Sequence, residues 1–101
     1  KALAEALEKD EFWGVRVEVA KHLAEVKLDQ AGSALVLGLK DETAFVRRAV
    51  VDALGNIKTV ESYDALKQLL ETGDRSYYVE FAAARSLGTM VTSATLKDKE
   101  E

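Results

Sequence analysis

The stretch Asp41-Glu42-Thr43-Ala44-Phe45-Val46-Arg47-Arg48-Ala49-Val50-Val51-Asp52-Ala53-Leu54-Gly55 decides the fold of this chain. Its apolar residues recur at i, i+4, i+8 and i+11, the spacing of a helix with one buried face. These residues are Val46, Val50, Leu54 and, just beyond the stretch, Ile57. Asp41 and Thr43 precede the helix, and such side chains accept hydrogen bonds from the N–H groups of a first helical turn. The stretch therefore predicts a turn followed by an amphipathic helix.

The same pattern occurs three times along the chain. Val15, Val46 and Val79 align at offsets of 31 and 33 residues, with an aspartate five residues before each valine and a leucine eight residues after it. A shorter helical pattern precedes each copy, at residues 3–7, 34–39 and 60–70. We therefore predict three helix pairs, with repeats at about 1–27, 28–58 and 59–91. The first helix of each pair is called helix A and the second helix B.

No segment alternates with the two-residue period of a strand, so the predicted fold is all-α. Three stacked helix pairs, the first of them incomplete, predict a right-handed α-α superhelix. The pattern stops near Val91 and the chain ends in the charge run 97–101, so we predict a frayed or disordered polar tail at 92–101. Gly55 and Gly88, one residue after the aligned leucines, are consistent either with helix C-caps or with close helix packing.

The composition excludes several classes of function. The chain has 101 residues, 48% hydrophobic and 32% charged, as in one folded soluble domain or a piece of one. It has no cysteine and one histidine, His22, which we interpret as an ordinary helix-surface residue; we expect no metal and no cofactor. A net charge of −4 argues against nucleic-acid binding. No apolar run approaches the roughly 18 residues of a membrane span, so we expect a cytoplasmic protein without membrane contact.

The repeat resembles a HEAT repeat of the short kind, in which an Asp turn and a helix B reading Val-Arg-x-x-Ala-x-x-Ala-Leu-Gly recur every thirty-odd residues. The resemblance implies a polar ladder between neighbouring repeats, built from the turn aspartate and the helix arginine. Asp10 with Arg16 and Asp41 with Arg47 keep the six-residue spacing of this ladder. In the third repeat Glu80 stands where the arginine would be, so we expect the ladder to stop or change there.

A more specific resemblance covers roughly residues 1–90. The segments 10–16, 45–50 and 73–80 are similar to the C-terminal HEAT-like region of bacterial zinc aminopeptidases of the aminopeptidase N family. The chain begins at Lys1, within what looks like a helix, so we interpret it as a segment of a longer protein. The family's activity lies in an upstream domain with a His-Glu-x-x-His motif. His22 is followed by Leu23, Ala24 and Glu25, so no catalytic residue carries over.

Two aromatic clusters supply the candidate protein-interaction residues. Trp13, beside Phe12, is a residue type that dominates binding hot spots. We favour the alternative, in which one of these two rings fills the core between repeats and the other covers the preceding turn. Tyr77, Tyr78 and Phe81 open the last helix B, where a docking surface and packing on helix A are equally consistent. Adjacent residues on a helix point about 100° apart, so we expect at least one tyrosine hydroxyl to be exposed.

The arginines of the B helices admit two interpretations. They are Arg16, Arg47, Arg48 and Arg85. They could form a basic strip on the concave side of the superhelix, but the interleaved acidic residues favour a solvated, salt-bridged face.

The sequence thus predicts a segment that is not itself an enzyme. It favours a non-catalytic scaffold that binds protein, as an excised C-terminal segment of a zinc aminopeptidase packed on the catalytic body. The alternative is a free-standing HEAT adaptor, including the class that modifies bilin-carrying proteins. We also expect end-to-end self-association, since the terminal repeats expose apolar faces. The candidate residues for these faces are Leu3 and Leu7 at one end and Tyr78, Phe81 and Met90 at the other.

Overall fold

A computed structural model of the protein describes residues 12–26 and 31–100, the last nine of them by backbone alone. These residues form five α-helices and contain no strand. The helices are α1 (Trp13–Val26), α2 (Ala31–Gly38), α3 (Ala44–Ile57), α4 (Val60–Thr72) and α5 (Tyr77–Glu100). The first helix A, with Leu3, Leu7 and Asp10, lies outside the described residues, as does Asp29 between α1 and α2.

The helices form two layers. The three B helices α1, α3 and α5 lie side by side, while α2 and α4 cover one face of this row as the A helices. The central helix α3 packs against all four others. This arrangement is an all-α solenoid, as the three aligned copies predict.

The core is built from small and branched aliphatic side chains. Leu35, Leu54 and Leu66 are completely buried, and most of the remaining core positions are valine or alanine. None of the seven aromatic residues of the chain belongs to this core. Val15 departs from the predicted stripe, being 39% exposed where Val46 and Val79 are buried.

The helix boundaries follow the local chemistry of the turns. Thr59 caps α4: its hydroxyl accepts the Ser62 N–H at 3.0 Å, and the Ser62 hydroxyl accepts the Thr59 N–H at 2.9 Å. Thr43 precedes α3 but makes no such side-chain cap. Helix α3 continues past Gly55 and ends at Lys58, which takes the left-handed conformation with φ 58°.

Gly55 serves close packing rather than helix termination. It is buried within α3, and a Cβ added there would lie 2.7 Å from the Oγ of Ser86 on α5. Gly88, at the equivalent position of α5, is exposed, and nothing lies within 4 Å of the corresponding Cβ position.

The last helix is longer than the sequence pattern indicates. We expected regular structure to stop near Val91, yet the backbone of α5 stays helical through Glu100. Residues 92–100 include neither glycine nor proline, and alanine, leucine and lysine among them are good helix formers. The loss of an apolar stripe therefore marks the end of the core rather than the end of the helix.

Candidate functional site

Two buried ion pairs join neighbouring repeats. The Arg16 guanidinium donates to the Asp41 carboxylate at 2.8 and 3.3 Å, and Arg47 donates to Asp74 at 3.0 and 3.1 Å. All four side chains are at most about one-tenth exposed. Each arginine thus pairs with the turn aspartate of the following repeat. The six-residue spacing in the sequence had instead associated each arginine with the aspartate of its own repeat.

The same aspartates order the turns that precede the B helices. The Asp41 carboxylate accepts the Thr43 N–H at 2.9 Å, and the Asp74 carboxylate accepts the Ser76 N–H at 2.8 Å. Arg47 also donates to the backbone carbonyl of Asp41 at 2.7 Å, so it spans both turns. The ladder therefore fixes where α3 and α5 begin.

The ladder changes at the third repeat, in the way the sequence led us to expect. Glu80 occupies the position of Arg16 and Arg47, and its carboxylate accepts the backbone N–H of Asp74 at 3.1 Å. An acidic side chain cannot donate to a carbonyl, so it uses the N–H of the turn instead of the carbonyl that Arg47 uses. Asp10, the remaining residue predicted for the ladder, lies outside the described residues.

Exposed aromatic side chains lie where the B helices begin. Six of the seven aromatic residues occur there, and we call them the aromatic edge: Phe12, Trp13, Phe45, Tyr77, Tyr78 and Phe81. Their exposed fractions run from 42% for Trp13 to 75% for Tyr77. Contiguous exposed apolar surface of this kind marks interaction sites in soluble proteins.

Ring contacts organise the aromatic edge. Trp13 at the start of α1 stacks on Phe45 at the start of α3, with ring centroids 5.0 Å apart and planes 23° apart. Phe12 lies 6.1 Å from Trp13, and Tyr77 meets Tyr78 edge to face at 6.3 Å. The expectation that Phe12 or Trp13 fills the core is wrong: both rings lie outside it, because short aliphatic side chains already fill the seams between the B helices.

Phe45 is the member of the edge that sequence reasoning missed as a candidate. Its signal was present, because it directly precedes the aligned Val46 just as Tyr78 precedes Val79. Tyr77 and Tyr78 are both largely exposed, so neither is packed on helix A. Comparing the position before the aligned valine in all repeats would have brought Phe45 and Tyr78 together.

The exposed face of the B helices carries two shallow grooves, which the sequence did not reveal. One lies between α1 and α3 and the other between α3 and α5, each with a volume of about 260 Å³. Asp52 and Asn56 line both. Arg85 on α5 reaches Asp52 at 3.6 Å, and both side chains are about half exposed. Arg48 is exposed too, so the four B-helix arginines divide into a buried pair in the ladder and an exposed pair on this face.

The described residues were compared with the arrangements that metal sites and membrane spans require. Within residues 12–26 and 31–91, no three His, Asp or Glu side chains group together as metal ligands would. His22 is exposed on α1. Among the helices described, none is both long and apolar enough to cross a bilayer. The arrangement can bury a partner's apolar side chains and present charged groups beside them.

Stacked helix pairs tied by a ladder between repeats define an α-solenoid repeat protein. The family model for HEAT repeats matches residues 1–88, and the chain belongs to this family. Comparison with curated proteins gave no match. HEAT solenoids use their extended surfaces to bind other proteins, so the family indicates a protein-interaction scaffold.

Proposed function

We propose that this chain is a non-catalytic scaffold that docks a partner protein through the aromatic edge. One observation carries the proposal: all seven aromatic residues lie outside the core, and six of them gather at the starts of the B helices. Aromatic side chains ordinarily contribute much of a protein's buried apolar surface. Tryptophan and tyrosine are also the residues most enriched in binding hot spots.

The ladder supports the same proposal. The side chains of Arg16, Asp41, Arg47 and Asp74 are at most about one-tenth exposed, and they hold the turns from which α3 and α5 begin. The rings are thereby carried on a fixed backbone. A preformed surface binds with a smaller loss of conformational entropy than a mobile one.

Affinity capture with matched variants tests the proposal. A Trp13→Ser, Phe45→Ser, Tyr78→Ser triple variant removes one ring of the edge from each B helix, while Tyr63→Ser removes an aromatic ring on α4, away from the edge. We expect a reproducible partner that binds the wild-type chain and Tyr63→Ser and is lost from the triple variant. A partner held equally by all three chains would place the docking surface elsewhere.

As the partner we propose the catalytic body of a zinc aminopeptidase of the aminopeptidase N family. The support is the resemblance of segments 10–16, 45–50 and 73–80, all of which carry rings of the aromatic edge. The alternative is a free-standing adaptor for another protein, including bilin-carrying proteins. A His-Glu-x-x-His motif in the reading frame upstream of Lys1 would favour the aminopeptidase partner. The absence of that motif would favour the free-standing adaptor.

We also propose that the chain itself has no peptidase activity. His22 is its one histidine, and it stands alone on the surface of α1. Incubation with aminoacyl-anilide substrates and zinc should therefore release no anilide. Turnover that survives repurification and is lost in His22→Ala would contradict this.

A further inference from the structure

The pairing of α3 with α5 fixes which residues are neighbours on the exposed B face. Asp52 and Arg85 both stand six residues after their aligned valines, and they meet at 3.6 Å. Equivalent positions on the exposed face of the two helices therefore lie side by side. One turn closer to the helix starts, the same register places Arg48 beside Phe81. One turn closer still to the helix starts, this register places Phe45 beside Tyr78.

By this register Arg48 lies between Phe45 on its own helix and Phe81 on α5. It is exposed and makes no hydrogen bond or ion pair with the described residues, whereas Arg85 reaches Asp52 and Lys21 reaches Glu18. Phe45 lies three residues before it on the same face of α3. A free guanidinium among exposed rings combines a donor for carboxylates with apolar surface.

The charges around the aromatic edge differ from those of the whole chain. Arg16, Asp41, Arg47 and Asp74 cancel in the ladder. Near the starts of α3 and α5, the exposed or half-buried charges that remain are Lys40, Arg48 and Arg75 against Glu42 and Glu80. Glu80 is already bonded to the Asp74 N–H. This part of the edge therefore carries one net positive charge in a chain whose net charge is −4.

We propose, building on the docking function above, that the aromatic edge binds an acidic peptide segment with bulky apolar side chains. A carboxylate of the segment pairs with Arg48, and its apolar side chains pack on Phe45, Tyr78 and Phe81. A guanidinium offers two parallel N–H donors to a carboxylate, which gives such a pair geometric specificity. Nucleic acid is disfavoured, because three scattered cations in an acidic chain neutralise few phosphates.

Fluorescence anisotropy with synthetic peptides tests this. The probe is a labelled peptide in which glutamate alternates with leucine and phenylalanine. One control peptide carries lysine in place of each glutamate. The other carries serine in place of each apolar residue. We expect the first to bind at least about tenfold more tightly than either other peptide. Equal affinities for the acidic and basic peptides, or no binding of the acidic one, would overturn the inference.

Arginine variants test whether Arg48 is the residue that pairs with the carboxylate of the peptide. Arg48→Gln should weaken binding of the acidic probe about tenfold, and Arg48→Glu should reverse the preference toward the lysine peptide. Arg85→Gln is the matched control, since Arg85 lies on the same face but pairs with Asp52, and it should change the affinity less than about twofold. Arg48 is exposed, so these variants should fold, which circular dichroism checks. An Arg48→Gln variant that binds as tightly as wild type would overturn the inference.

The edge variant separates this inference from the proposed function. If the triple variant of Trp13, Phe45 and Tyr78 loses a captured partner while Arg48→Gln keeps it, the docking function stands. The inference that the ligand is acidic is then wrong. If the triple variant keeps that partner, the docking function itself fails. Tighter binding of a single-stranded oligonucleotide than of the acidic peptide would overturn the inference in favour of nucleic acid.

Discussion

Gly55 and Gly88 occupy equivalent positions in their repeats, and they differ in what lies beside them. A methyl group at Gly55 would come within 2.7 Å of the Ser86 Oγ and 2.8 Å of its Cβ, whereas Gly88 has open space. Gly55→Ala should therefore lower the free energy of unfolding by about 1–3 kcal/mol through overpacking. Gly88→Ala should raise it by about 0.5–1 kcal/mol, because alanine is the better helix former. Urea unfolding followed by circular dichroism measures both, and shifts of the same sign would contradict the packing described.

The sequence alignment could single out Gly55 and Gly88, but it could not show which structural role each of them has. Their alignment made a C-cap and a close helix contact equally consistent, because the deciding fact is a neighbouring helix rather than a local residue type. The same holds for Thr43, which was predicted to cap a helix, when it is compared with Thr59. Thr59 has Ser62 three residues later to complete a capping box, whereas the Thr43 N–H is bonded by Asp41 and its hydroxyl accepts from Arg16 at 3.4 Å.

At the scale of elements, the ladder holds neighbouring repeats in register. Arg47 is 4% exposed and bonds both the Asp74 carboxylate and the Asp41 carbonyl. Arg47→Met keeps most of the side-chain volume but leaves the Asp74 carboxylate buried without its cation. We expect a loss of about 3–5 kcal/mol in the free energy of unfolding, measured by urea denaturation.

Lys21→Met is the control for this prediction. Lys21 pairs with Glu18 at 3.3 Å, but both side chains are more than half exposed, so its loss should cost less than about 1 kcal/mol. Equal costs for Arg47→Met and Lys21→Met would mean that solvent screens the ladder as it screens a surface pair.

The existence and order of the described helices could be predicted from apolar periodicity, because each helix buries one face. Two features could not. The partner of each arginine was uncertain, since a six-residue spacing within a repeat does not say which turn the side chain reaches. The end of α5 was placed too early, because residues beyond Val91 lose the apolar stripe while keeping residue types that favour a helix.

For the whole molecule, α3 is the helix that couples the repeats. It contacts every other described helix, and Leu54 on it is completely buried. Leu54→Ala should lower the free energy of unfolding by about 2–5 kcal/mol. Since repeat arrays are stabilised by interfaces between neighbours, we expect one transition at lower urea rather than the loss of a single repeat. Leu37→Ala, at a position 55% exposed, is the control and should change stability little; equal effects would contradict the assigned core.

The solenoid could be predicted from the sequence because three copies of one pattern leave few ways to bury it. The aromatic edge could not, since large rings usually fill cores and one of Phe12 and Trp13 was assigned there. The seams between the B helices are instead occupied by residues such as Ala20, Val51 and Ala83, which let the helices approach closely. Rings excluded from such seams remain at the helix starts, where they become available to a partner.

The outer face of α5 leads to a prediction about assembly. Its Ala84 and Gly88 are exposed and Leu87 is half-buried, although the equivalent positions of α3, Val51, Gly55 and Leu54, are all buried. No described helix covers this face, and Val91 extends it at 51% exposure.

We therefore expect end-to-end self-association through this face. In sedimentation velocity the weight-average sedimentation coefficient should rise with concentration from micromolar toward millimolar. Gly88→Arg should suppress the rise, because it sets a charge in the middle of the face while improving helix propensity. Asn56→Arg adds the same charge on the B face and should leave the rise unchanged. A constant sedimentation coefficient for the wild-type chain would mean that α5 ends the array without needing a neighbour, so that the exposed apolar surface there is too small to hold two copies together.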